Sequence, residues 1–145
     1  MTRLESLSPD LGDKLQRASA VKQRAASLAA CEFAISHAKV EHAIVEKALE
    51  KVRRAGVLAP QERDELVALA EQLDEEYFNL QEAAEEGRAS TEDYMRLFGQ
   101  ARAVAALSFA GGEDALQAAT EAIYEAAATT EDKEGLAIVI ESALQ

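Results

Sequence analysis

Few residues in this chain are of types that do chemistry, and their spacing limits what that chemistry could be. There are two histidines, His37 and His42, and one cysteine, Cys31. Five positions apart on a continuous helix, the two imidazoles diverge by about 140°, so they do not share a metal-binding face. Cys31 and His42 are eleven apart and could align, but His37 stays off that line. The Glu-x-x-His pattern of di-iron bundles is missing, because Ala34 and Lys39 stand three before His37 and His42. A lone cysteine forms no internal disulfide, and Cys31 sits in an apolar run at 29–34, where a small buried core residue is the plain reading. Gly111-Gly112 reads as a helix terminator rather than a phosphate loop, and no run of alternating Asp or Asn with a central Gly suggests calcium. With no catalytic residue, metal or cofactor to assign, the expectation is a protein that acts by binding and is not an enzyme.

Carboxylates are what the chain has in excess. Residues 60–93 hold twelve acidic side chains against two basic ones, Arg63 and Arg88, which accounts for ten of the twelve net negative charges. A single-sign field of this kind repels like molecules and steers cationic partners into encounter. Projected as a helix, the segment from Pro60 places Asp64, Glu71, Glu75, Glu82 and Glu86 opposite its apolar stripe, with Asp74 and Glu85 on the flank. Glu71 and Glu75, like Glu82 and Glu86, are like charges four apart, which costs the helix a few tenths of a kcal/mol per pair. Helix stability therefore does not recommend the arrangement. Val67 and Phe78 share this outer face, and Phe78 lies three after Glu75 and four before Glu82. An aromatic ringed by carboxylates fits an interface hot spot, the ring gripping while the charges set rate and specificity. The candidate partner-binding set is thus Asp64, Glu71, Asp74, Glu75, Phe78, Glu82 and Glu86. Two plainer accounts compete with it: the acids keep the protein soluble, and Phe78 packs under a neighbouring helix.

These side chains need helices to position them, and the punctuation of the chain is helical throughout. Ser8-Pro9-Asp10 reads as an N-cap, a proline at the first helical position and an acid at the positive end of the dipole, after a flexible stretch at 1–8. From Leu28 the positions Cys31, Ile35, Ala38, His42, Val45, Leu49 and Val52 alternate three and four apart, ending at Arg53-Arg54-Ala55-Gly56. A single helix over 13–55 would be about 65 Å long, against a radius of gyration near 15 Å for a compact domain of this size, so a break is expected around 36–40. Pro60 opens the best-defined helix, with the stripe Leu66, Leu69, Ala70, Leu73, Tyr77, Leu80 and Ala84, stopping at Gly87. Ser90-Thr91-Glu92-Asp93 has the form of a capping box and starts the next, which runs to Gly111. Two more helices carry Leu116, Ala119, Ile123 and Ala127, and then Leu136, Val139, Ile140 and Leu144.

With 145 residues, 48% hydrophobic but only 5% aromatic, the chain is expected to form one all-α domain over 1–145. The form expected is an antiparallel bundle or short helical-hairpin array of five to six helices. The likeness of 29–34 to 105–110 is as readily explained by alanine-rich composition as by a duplicated hairpin. Lacking a signal peptide and any run of eighteen apolar residues, it reads as cytoplasmic. In size, charge and helicity it resembles bacterial toxin-neutralising immunity proteins as a physical class, without a shared motif. That analogy implies a basic protein partner, for example a toxin, masked by the acidic face. The alternative is a helical adaptor or secretion-type chaperone that holds an amphipathic segment in an apolar groove. Although Lys14, Arg17, Lys22 and Arg24 form a local basic patch, the net charge argues against direct nucleic-acid contact. No membrane association is expected, and a homodimer stays open.

Overall fold

Alanine-rich helices can approach closely, and the core of this protein is built that way. The computed structural model describes Leu7 and residues 10–145. Among the described residues seven helices follow one another: α1 (Leu11–Arg17), α2 (Ala20–Ala38), α3 (Ala43–Ala55), α4 (Pro60–Glu85), α5 (Thr91–Ala110), α6 (Ala115–Ala127) and α7 (Lys133–Leu144). Among the described residues there is no strand. The all-helical expectation holds, and the count of five to six is corrected to seven. The extra element comes from a break at Ala18-Ser19: both residues are extended, and the Ser19 side chain accepts the Lys22 N–H to start α2 afresh. The expected cap at Ser8 and Pro9, with the flexible stretch at 1–8, lies outside the described residues apart from Leu7; Asp10 occupies the N-cap position of α1 without a side-chain cap bond.

The break expected near 36–40 is present. Lys39 takes the left-handed conformation at φ 58° and closes α2, its N–H donating to the Ile35 and Ser36 carbonyls. His42 then caps α3, Nδ1 accepting the Ile44 N–H at 3.2 Å, so its role is structural rather than part of an apolar stripe. At the other end of α3, Gly56 is left-handed at φ 80°.

Two groups of buried side chains meet along α2 and α5. Cys31, Val45, Leu49, Val52, Leu58, Leu66, Leu69, Val104 and Leu107 fill the side under α3 and α4. Leu11, Leu15, Ala30, Ala34, Ile123, Leu136 and Ile140 fill the side under α1, α6 and α7. Ile35 and Val40 touch both groups. In the two similar segments, Ala30, Cys31 and Ala34 of α2 correspond to Ala106, Leu107 and Ala110 of α5, and all six are fully buried.

The end of α5 is held from both sides. Arg24 donates to the carbonyls of Ala110, Gly112 and Glu113 at 3.2, 2.6 and 2.7 Å, and Arg63 donates from Nε to the Ser108 carbonyl at 3.1 Å. These arginines satisfy carbonyls that the helix itself leaves open. Leu58 closes over Gly111, where a β-carbon would lie 2.6 Å from the leucine side chain, so only glycine permits this contact.

Candidate protein-binding face

Helix α4 begins where Pro60 fixes φ at the first position and the Glu62 carboxylate takes the Ala59 N–H at 2.8 Å. A second hold on Glu62 is its ion pair with Lys51 of α3. Lys51 is the first cause that keeps the Glu62 carboxyl below the ordinary carboxylate range, and the Ala59 N–H is the next. At the far end, Glu86 caps α4 and Gly87 turns the chain at φ +79°.

As the periodicity requires, Leu66, Leu69 and Ala70 are buried, and Leu73, Tyr77, Leu80 and Ala84 are half-buried. This stripe packs along α5, with α3 beside the helix start. At its middle the contact is aromatic. The Tyr77 ring lies 5.7 Å from Tyr94 and 5.6 Å from Phe98, centroid to centroid, and 5.1 Å from Phe78. Tyr77 therefore fills the seam between the helices, and Phe78 stands on its outer edge.

The opposite face of α4 is uncovered. Asp64, Glu71, Glu75, Glu82 and Glu86 are all exposed there. Phe78 is 61% exposed and Val67 43% exposed, so neither packs under a neighbouring helix among the described residues. Glu71, Glu75 and Glu82 form no ion pair among the described residues, whereas Glu86 is paired with Arg88 just beyond the turn, Arg88 Nε lying 2.9 Å from the carboxylate. Exposed pairs of this kind contribute little to stability, and Arg88 offsets the Glu86 charge at a distance.

Asp74 has a different position from the other candidates. It is half-buried on the flank facing α5, where Arg102 reaches it at 2.7 Å while bonding Glu125 of α6 at 3.1 Å. Arg102 also lies over the Phe98 ring, 6.0 Å from its centroid. One guanidinium thus ties α4, α5 and α6 together and fixes the direction in which the acidic face looks. The sequence reading missed Arg102; its trace there is a lone arginine inside the apolar stretch 101–107.

The other chemistry-bearing residues do not converge. Cys31 is fully buried, and burial pushes its thiol well above the ordinary range. His37 is exposed and stacked on Phe33, ring centroids 6.1 Å apart, on the other side of the break from His42. Among the described residues no three His, Cys, Asp or Glu are grouped to hold a metal ion, and no helix is long and apolar enough to cross a membrane. A cleft of about 710 Å³ between the α3–α4 turn and the start of α6 is rimmed by Arg63, Glu113, Asp114, Gln117 and Glu121 over Leu58 and Phe109. Arg63 is engaged there with the end of α5, and the neighbouring acids are unfavourable to an anionic ligand.

Compared with known proteins, the chain matches no family model, no curated protein and no solved structure.

Proposed function

We propose that the outer face of α4 binds a basic surface of a partner protein, and that the protein acts by masking that surface rather than by catalysis. The observation that carries this reading is the exposure of Phe78 among unpaired carboxylates, Glu71, Glu75 and Glu82, on a helix whose inner face is already occupied. The exposed phenyl ring leaves apolar surface in water, and set among carboxylates it offers a partner a contact to bury. Carboxylates around it raise the encounter rate with cations, and the ring slows departure once bound. An inhibitor or immunity-type role, covering the cationic cleft of a toxin for example, uses both properties. The adaptor reading has less in its favour, because the 710 Å³ cleft is rimmed by charged groups rather than lined as an apolar groove.

The test is reversal of charge at two exposed positions. Glu71→Lys combined with Glu75→Lys is expected to leave helicity and melting temperature close to wild type, since neither side chain is buried or paired. In a low-salt pull-down from the source cells, wild-type bait should retain a basic protein that the doubly reversed bait does not. An identical set of retained proteins on both baits would reduce the acidic face to a solubilising role.

A further inference from the structure

The exposed residues of α4 repeat. Along the outward face, which also exposes Ala68 and Glu85, an acid, then an apolar residue three later, then an acid four later occurs as Asp64, Val67, Glu71 and again as Glu75, Phe78, Glu82, followed by Glu86. The two units are eleven residues apart, which on an α-helix is about 16.5 Å along the axis and only about 20° around it. All seven side chains are exposed and fall within a sector of about 100°, so they form one straight track about 33 Å long. We propose that the part of the partner seated on this track is a basic α-helix with apolar residues eleven apart. The proposal rests on reading the face as a site for a basic protein and adds the form of the segment that fills it.

Geometry selects the helix over other elongated elements. A strand lying along α4 would cover 16.5 Å in about five residues, and an odd number turns successive anchors to opposite faces of the strand. A second helix returns to the same face after eleven residues with the same small drift, so one partner residue can meet Val67 and another Phe78 at once. Charge specifies the rest. Glu71 and Glu75 lie between the two apolar positions, with Asp64 before them and Glu82 and Glu86 after. The complementary helix therefore carries lysine or arginine between its apolar anchors and on both outer sides. Helix packing of this kind has room here, because among the described residues α4 is covered mainly along the side that faces α5 and α3.

The experiment uses the 145-residue chain and two synthetic lysine-rich helical peptides of equal composition, followed by fluorescence anisotropy. One has leucines eleven apart, and the other has them nine apart, about 180° around the helix. A poly-lysine of equal length supplies a probe for charge alone. The expected result is binding of the eleven-spaced peptide at least about ten-fold tighter than its isomer, with that advantage lost in Val67→Ser/Phe78→Ser. Equal binding of the two peptides, both weakened by Glu71→Lys/Glu75→Lys, would overturn the helical partner while sparing the basic-partner reading. Absence of binding by both peptides and by poly-lysine, or binding that the charge reversal leaves unchanged, would overturn both.

Discussion

At the scale of single residues, Arg102 is the side chain on which the orientation of the acidic face depends. Its side chain is 22% exposed and those of its two acidic partners, Asp74 and Glu125, are 32% and 14% exposed, so the network is screened by water only in part. Replacing it by methionine keeps the packing volume and leaves two neighbouring acids without their cation. We expect Arg102→Met to cost about 1–3 kcal/mol, read from chemical denaturation. Arg102→Lys should recover only a fraction, because an ammonium cannot fork between two helices as a guanidinium does. If lysine restored the full stability, simple charge balance would explain the site. Cys31 gives a second check at this scale. Its thiol is fully buried and its pKa is raised by burial, so it should react with an aromatic disulfide reagent only at the rate of unfolding. A fast native-state reaction would mean that the α2–α5 seam opens readily.

Among the elements, the turn from α4 to α5 is where pH should act most locally. The Ser90 Oγ accepts the Asp93 N–H at 3.3 Å, and the Asp93 carboxylate accepts the Ser90 N–H at 3.2 Å. Ser90, through its backbone N–H first and its hydroxyl second, holds the Asp93 carboxyl below the ordinary carboxylate range. With the folded pKa depressed, the unfolded chain takes up its proton first as pH falls. The stabilisation is thus present above the ordinary carboxylate pKa of about 4 and is lost as pH drops through the folded value. Asp93→Asn keeps the shape without the charge. It should melt below wild type at pH 7, with the gap narrowing progressively as pH falls below about 4; a constant gap would assign the effect to geometry alone. This cap was legible from four consecutive residues, as were the start of α4 at Pro60 and its stop at Gly87, because local chemistry decides those boundaries. The break at Ala18-Ser19 was not, since alanine and serine are both acceptable within a helix and only Ser19's cap at α2 disfavours continuation. Nor was the αL lysine at 39, where glycine is the usual signal. Arg24, Arg63 and Arg102 were missed for a different reason. Their partners are 86, 45 and 28 positions away in the chain, and periodicity carries no information across such distances. On the candidate face, the exposure of Phe78 and the inward turn of Asp74 both depend on where α5 lies, which the α4 sequence alone does not specify.

For the whole molecule, the distribution of charge predicts how binding should respond to salt. Ten of twelve net charges reside in residues 60–93, while the α1–α2 junction carries Lys14, Arg17 and Lys22. Lys14 there is engaged with Glu141 of α7 at 3.0 Å and with Asp10 at 3.4 Å. The field of the molecule therefore has its strong negative lobe over α4, and a cationic partner approaching from a distance would be turned toward that face. At an ionic strength of about 0.05 M the field reaches well beyond contact, and at about 0.5 M it is screened within a few ångströms. The association rate should accordingly fall by an order of magnitude or more over this range, measured by stopped-flow against the basic partner. The dissociation rate should change much less, because on the proposed reading it is set by Phe78, covered on binding, and by short-range pairs. Phe78→Ser should show the reverse pattern, with association near wild type and faster dissociation. The two rates thus separate the parts of the face: carboxylates that act at a distance and a ring that acts on contact. An association rate indifferent to salt, with Phe78→Ser changing neither rate, would place the binding surface elsewhere on the bundle.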